Sequence, residues 1–347
     1  MALSQKAREI LNREDLLEKR TLWFDRMQDV FDGRRTVWNE RHVMAVNGIR
    51  AAGIHDPYTE PERWMEDCLE DLAARCDALE NETWFRPLCV EYGPYGVHYI
   101  DKILGARVFT NGKQWYNEYL TTPIGSLEFP DLQHNPVWQD TLRAMRAFVD
   151  AGVTVPLFGL PTIASTLNIA VNLYGENILT EMLLEPENAV RDLKTINDLL
   201  CELHRQARSL IPQEQLQPVI SWNRTQPPGY GQLCGCTTQL ISGNCYAEMI
   251  APLDDELLSV YPNGGMIHLC GRHTQHMEAF RNMRHLKALQ LNDRAAEDLA
   301  LYHQQLRSDQ VLYLNPCAAM PIEKAVALTK GERLIIARDL EASVYKP

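Results

Sequence analysis

The chain has 347 residues, 45% of them hydrophobic and 23% charged, and its 34 basic against 46 acidic side chains leave a net charge of -12. That composition suits a soluble globular protein of one large domain or two ordinary ones, and the acidic balance argues against non-specific nucleic-acid binding, which needs basic patches. The longest apolar runs, such as residues 154–160, are too short to span a bilayer, and residues 1–20 hold no apolar signal core, so no membrane partner is expected and the cytoplasm is the expected compartment.

Residues 2–32 carry helical periodicity through Leu3, Ala7, Ile10, Leu11, Leu16, Leu17, Leu22, Phe24, Met27, Val30 and Phe31, with Gly33 as a stop. A second helical region is expected over 61–79, where Trp64, Met65, Cys68, Leu69 and Leu72 share a face. From residue 85 the pattern changes to short apolar runs alternating with helical segments. Residues 85–92 read as a strand, and 104–121, with Asn111-Gly112 at its centre, as a small hairpin. Residues 136–151 read as a helix, 153–158 as a strand, 162–172 and 176–185 as helices, and 186–210 as one long amphipathic helix opened by Pro186. Residues 218–222 read as a strand and 242–261 as a helix. Three clear units follow: strands 266–270, 286–291 and 310–314, each succeeded by a helix, with a last strand at 333–337.

Strands that alternate with helices imply parallel βαβ units. The stretch 85–338 matches the roughly 250 residues of a closed eight-stranded barrel. The expected fold is therefore α/β, a TIM (β/α)8 barrel over 81–347 preceded by an N-terminal helical extension over 1–80. An open doubly wound sheet is the alternative, weakened because no G-x-G-x-x-G or P-loop follows any strand.

In such a barrel, function sits at the C-terminal strand ends. Those ends carry Glu91 and Tyr92, Trp222 and Asn223, His268 and Cys270, Asn292 and Asp293, and Asn315 and Cys317. His268 and Cys270 stand two residues apart, so on an extended strand both project to one side, and Gly271 lets the chain turn behind them. Imidazole and thiolate together suit zinc, not magnesium or calcium. Cys317, from another strand end, is the expected third metal ligand, leaving a fourth position open as catalytic sites do. Nine irregularly spaced cysteines do not make a disulfide framework. Cys234, Cys236 and Cys245 are read as lining a loop near the barrel mouth, with Cys236 available as a substrate-displaceable fourth ligand. His273 and His276 are read as solvated. No G-x-S-x-G elbow supports a serine nucleophile.

With those residues in view, the chain resembles the uroporphyrinogen decarboxylase superfamily over about residues 85–340. The likeness rests on Glu91-Tyr92-Gly93 followed by Leu104-Gly105-Ala106-Arg107-Val108, on residues 160–185, on Leu240-Ile241-Ser242 before Tyr246, on His268-Leu269-Cys270-Gly271, and on Asn315-Pro316. Members with the H-x-C motif resemble zinc methyltransferases that move a methyl group from a corrinoid to a thiol such as coenzyme M. The resemblance implies zinc on His268, Cys270 and Cys317, a methylcorrinoid co-substrate that can be carried on a partner protein, and a small-molecule thiol acceptor. Glu91 and Asp293 are the expected catalytic carboxylates, orienting the acceptor or taking its proton. Tyr92, Trp222, Asn223 and Asn315 are the expected lining of the cofactor site. The arginine-rich N-terminal motif of true decarboxylases has no counterpart here. A metal-free decarboxylase or lyase, or a non-catalytic ligand-binding barrel, is the alternative.

Overall fold

Short strands rich in Leu, Ile and Val, buried on both faces, demand cover on both sides, which is the situation of a parallel sheet flanked by helices. The computed structural model describes residues 3–36, 40, 42–46, 49–80, 82–112, 114–161, 164–218 and 224–338. Its strands are β1 (His42–Val46), β2 (Ile49–Arg50), β3 (Leu88–Glu91), β4 (Val108–Asn111), β5 (Gln114–Asn117), β6 (Leu157–Gly159), β7 (Leu216–Gln217), β8 (Gly231–Cys234), β9 (Gly265–Leu269), β10 (Leu286–Leu291), β11 (Val311–Leu314) and β12 (Leu334–Arg338). Six of them form a parallel sheet in the order β1-β12-β11-β10-β9-β8, and four form a second sheet, also parallel, in the order β2-β3-β6-β7. Strands β4 and β5 make a separate antiparallel hairpin, turning at Gly112 with φ 76 as the Asn-Gly pair predicts.

The two sheets are tied to each other twice. β1 pairs with β12 while β2, which follows it closely in the chain, pairs with β3. Beyond β6, Ala164 makes a parallel bridge to Cys234 of β8, and the Ser165 amide donates to the Cys234 carbonyl at 2.8 Å. The architecture is thus mixed α/β with parallel strands and covering helices.

Helix Glu14–Phe31 lies across the end at which the strands begin. Its Trp23 and Phe24 pack on Phe85, just ahead of β3, at 5.8 and 5.3 Å, and its Phe31 packs on Tyr230, just ahead of β8, at 4.4 Å. Arg20, buried in the same helix, donates to the carbonyls of Thr154 and Val155, ahead of β6. Each large apolar side chain so buried contributes roughly 1.5–3 kcal/mol. The opposite end, where the strands finish, is left to other groups. The 25-residue helix Pro186–Leu210 buries Leu193, Ile196, Leu199, Leu200 and Leu203 along one stripe, as its period predicts. Among the described residues, no helix is long and apolar enough to cross a membrane.

Most expected elements are found. Two differences matter. The first 80 residues are not helical throughout, because β1 and β2 fall within them. β8 was not foreseen: Gly231-Gln232-Leu233-Cys234 holds one aliphatic residue, and its pairing with β9 outweighs its weak strand propensity. The strand expected at 218–222 lies, beyond Pro218, outside the described residues.

Candidate metal centre

The register of the six-stranded sheet sets the site. Cys234 pairs with His268, His268 with Gln290, and Gln290 with Tyr313. Direct partners on neighbouring strands share a face, so these four side chains form one polar row across β8, β9, β10 and β11. The alternate residues Leu233, Ile267, Leu289 and Leu312 take the other face and are fully buried. A buried polar row is tolerated only if its members bond one another or hold a ligand.

Part of the row does bond internally. His268 Nδ1 meets Gln290 Oε1, and Gln290 Nε2 in turn donates to Asn315 Oδ1. With Nδ1–H committed to a carbonyl acceptor, Nε2 presents its lone pair, the arrangement that orients a metal-ligating histidine. Burial, helped by the charge of Arg224, lowers the His268 pKa to about 3, so the ring is neutral at neutral pH, as coordination requires.

Against this imidazole stand the thiols. Ligand atoms of Cys234, Cys236 and His268 all lie within 4.8 Å of one another. The Cys234 and Cys236 sulfurs are 3.3 Å apart. Tetrahedral zinc with bonds of about 2.3 Å spaces two sulfurs by roughly 3.8 Å, so a small opening of the pair would admit the ion. Two soft sulfurs and a neutral nitrogen fit zinc. Cys270, just past the end of β9, lies near enough to Cys236 to affect its ionisation and outside the mutual group of three. The Cys236 thiol is pushed far up by its sulfur neighbours and burial, and the Cys234 thiol is drawn down to about 7, first by the Cys236 hydrogen bond and then by Arg224 against the cost of burial.

The loops that carry the thiols are clamped. Ser165 caps helix Thr166–Tyr174, and Asn168 in its first turn accepts from the Thr237 amide at 3.0 Å. His273 Nδ1 lies 2.9 Å from the Gly271 carbonyl and its Nε2 3.2 Å from that of Gly235, linking the two loops. His276 Nε2 reaches the Thr238 carbonyl at 2.8 Å. Both histidines are fully buried, which corrects the expectation that they are solvated: the loop carbonyls of β8 and β9 supply the polar partners that water was expected to supply. Gly235 is required because a Cβ there would lie 2.8 Å from Ile267 Cγ2.

The remaining expected residues are distributed as follows. Asn315 sits in the His268–Gln290 relay. Asp293, exposed and with φ 47, opens helix Asp293–Glu297 and is near enough to oppose ionisation of Cys270. Glu91 ends β3 on the second sheet and is buried. Tyr92 is committed to packing, its ring 5.6 Å from Trp64 and its hydroxyl donating to the Pro57 carbonyl. Cys317 lies in the turn after β11, its amide bonded to the Met320 carbonyl, and is not in the group of three. Trp222 and Asn223 lie outside the described residues. Cys245 is turned to Met249.

Sequence reasoning underweighted Cys234 and missed Arg224. The signal for the first was present: Cys234-Gly-Cys236 repeats the spacing of His268-Leu269-Cys270, and both end a strand. Arg224 lies near enough to Cys234 to favour its ionised form, and among the described residues its buried Nη1 finds no partner, nor do Thr225 Oγ1 and both amide atoms of Gln232 on the same stretch. No local motif announces that convergence.

No family model matches the chain, and no curated protein matches it. Among solved structures it is similar to a methyltransferase from Methanosarcina mazei, with a TM-score of 0.62 and 11% identity, covering 91% of this chain and 93% of that chain. At that identity the likeness is one of fold.

Proposed function

We propose that the chain is a zinc-dependent methyltransferase on an eight-stranded (β/α)8 barrel, moving a methyl group from a methylcorrinoid to a small thiol. The observation that carries this reading is the convergence of Cys234, Cys236 and His268 at the C-terminal ends of adjacent parallel strands. The fold shared with a methyltransferase supports it, and so do the two links between the sheets, which are those a closed barrel needs.

His268, Cys234 and Cys236 would hold the metal, with Cys270 next to them and Cys317 as the further candidate from the sequence. Zinc bound there would supply a Lewis acid that keeps an acceptor thiol deprotonated at neutral pH. The chain's own residues do the rest. Burial keeps the His268 ring neutral, and Gln290 holds its orientation. Arg224 offsets the charge of the thiolates. Asp293, exposed and near Cys270, would take the proton that the acceptor thiol gives up, with Glu91 as the second carboxylate candidate. The corrinoid would approach over the strand ends, alone or on a partner protein.

The test is methyl transfer from methylcobalamin to a panel of small thiols by the zinc-loaded full chain. The reading expects thiol methylation that falls at least tenfold in Cys234→Ala and in His268→Ala. Transfer that is absent in the zinc-loaded protein, or undiminished in the two variants, would overturn it.

A further inference from the structure

The thiols at the strand ends do more than a metal site asks of them. The Cys236 sulfur is 3.3 Å from that of Cys234, and Cys270 lies near enough to affect its ionisation. All three residues are part-exposed, whereas Cys68, Cys89 and Cys201 are buried. Partial exposure and a second thiol in contact are two features of a cysteine poised for reversible oxidation.

We propose that Cys234 and Cys236 form a redox-active dithiol that hydroperoxides oxidise to an intramolecular disulfide, removing two metal-ligating sulfurs together. The Cys234 thiolate attacks the outer peroxide oxygen and the O–O bond breaks. Cys234 becomes a sulfenic acid, and the departing alkoxide takes up a proton equal to the one Cys234 gave to solvent. The Cys236 sulfur then attacks the Cys234 sulfur, the S–O bond breaks, and the hydroxide leaves as water with the proton of Cys236. In balance, two thiols lose two hydrogens and two electrons, and the hydroperoxide is reduced to one alcohol and one water. The disulfide would span a single residue, Gly235, and so short a ring is strained and readily reduced again by a dithiol. Zinc on the thiolates would hold the pair apart, so metal loading and oxidation exclude each other.

This inference rests on the thiol geometry and not on the methyl-transfer reading, and its experiment separates the two. The reduced, chelator-treated full chain is exposed to a stoichiometric amount of hydrogen peroxide, alkylated without reductant, and mapped by peptide mass. The expected result is a peptide carrying residues 234 and 236 with both sulfurs blocked and two hydrogen masses lost. Dithiothreitol should restore both thiols, and with them zinc uptake. The same product should form in Cys270→Ser. Alkylation of both cysteines, sulfinic acid without a cross-link, or a bridge from Cys236 to Cys270 would each overturn the proposal. A protein that forms the disulfide yet never binds zinc would keep this inference and sink the metal reading.

Discussion

Burial lowers the pKa of His268 to about 3, and its Nδ1 is committed to Gln290. The sign of the pH effect follows. A histidine whose folded pKa is depressed contributes full stability above its unfolded value of about 6.5 and loses it as pH falls towards 3, because the unfolded chain takes up the proton first. The metal-free protein is therefore expected to weaken on acidification across that window, by on the order of 3–5 kcal/mol from this group. His268→Gln should flatten that part of the profile in denaturant titrations at stepped pH; identical profiles for the two proteins would refute the assignment. His204 shows a similar depression, so the difference between the two proteins is the quantity to read. Gln290→Leu removes the partner of Nδ1 and is expected to weaken zinc affinity about 10–100-fold, measured by competition with a chromophoric chelator. Unchanged affinity would mean that the ring needs no such support. At this scale the sequence showed His268 and Cys270 because two residues of spacing on a strand are legible locally. It did not rank Cys234 as a ligand, because that requires knowing that β8 pairs with β9 in the register Cys234 to His268.

Strand pairing is where the site's precision originates. Gly265 of β9 is opposite Gly231 of β8, and a Cβ on Gly265 would press into the Gly231 carbonyl oxygen and lie 2.8 Å from Leu258 Cδ2. Gly265→Ala must push the two strands apart or shift their register, and with them the Cys234–His268 pair. The expected outcome is a drop in thermal midpoint together with weakened zinc binding; a variant that keeps both would show that the strands can slide without cost. Away from the site, Leu200 on helix Pro186–Leu210 is fully buried, and Leu200→Ala is expected to cost about 2–5 kcal/mol in chemical denaturation while leaving metal affinity alone. Elements with a long, clean period, such as this helix, were readable in advance. β1, β2 and β8 were not: two residues of β2 or one aliphatic residue in β8 carry no usable pattern, and only the neighbouring strand makes them strands.

For the molecule as a whole, the division of labour between the two ends of the strands is the organising fact. Helix Glu14–Phe31 closes the starting end with Trp23, Phe24 and Phe31, and the finishing end carries the thiols, the imidazole and Arg224. Alternation of strands and helices made the parallel α/β architecture legible from sequence. It could not show how the first strands would be used, because a segment preceded and followed by strong helices reads as part of a helical arm until its partner β12, nearly 300 residues away, is in place. The same long separation hid the site: its members come from residues 224, 234, 236, 268 and 290, and only the fold brings them together.

The central claim is that His268, Cys234 and Cys236 hold one metal ion. It is tested most directly by zinc-edge X-ray absorption on the zinc-loaded full chain and on Cys234→Ser. The account predicts one zinc per chain with at least two sulfurs at about 2.3 Å and one nitrogen at about 2.0 Å, and one sulfur fewer in the variant. A shell of nitrogen and oxygen alone, or a sulfur count that Cys234→Ser leaves unchanged, would contradict it.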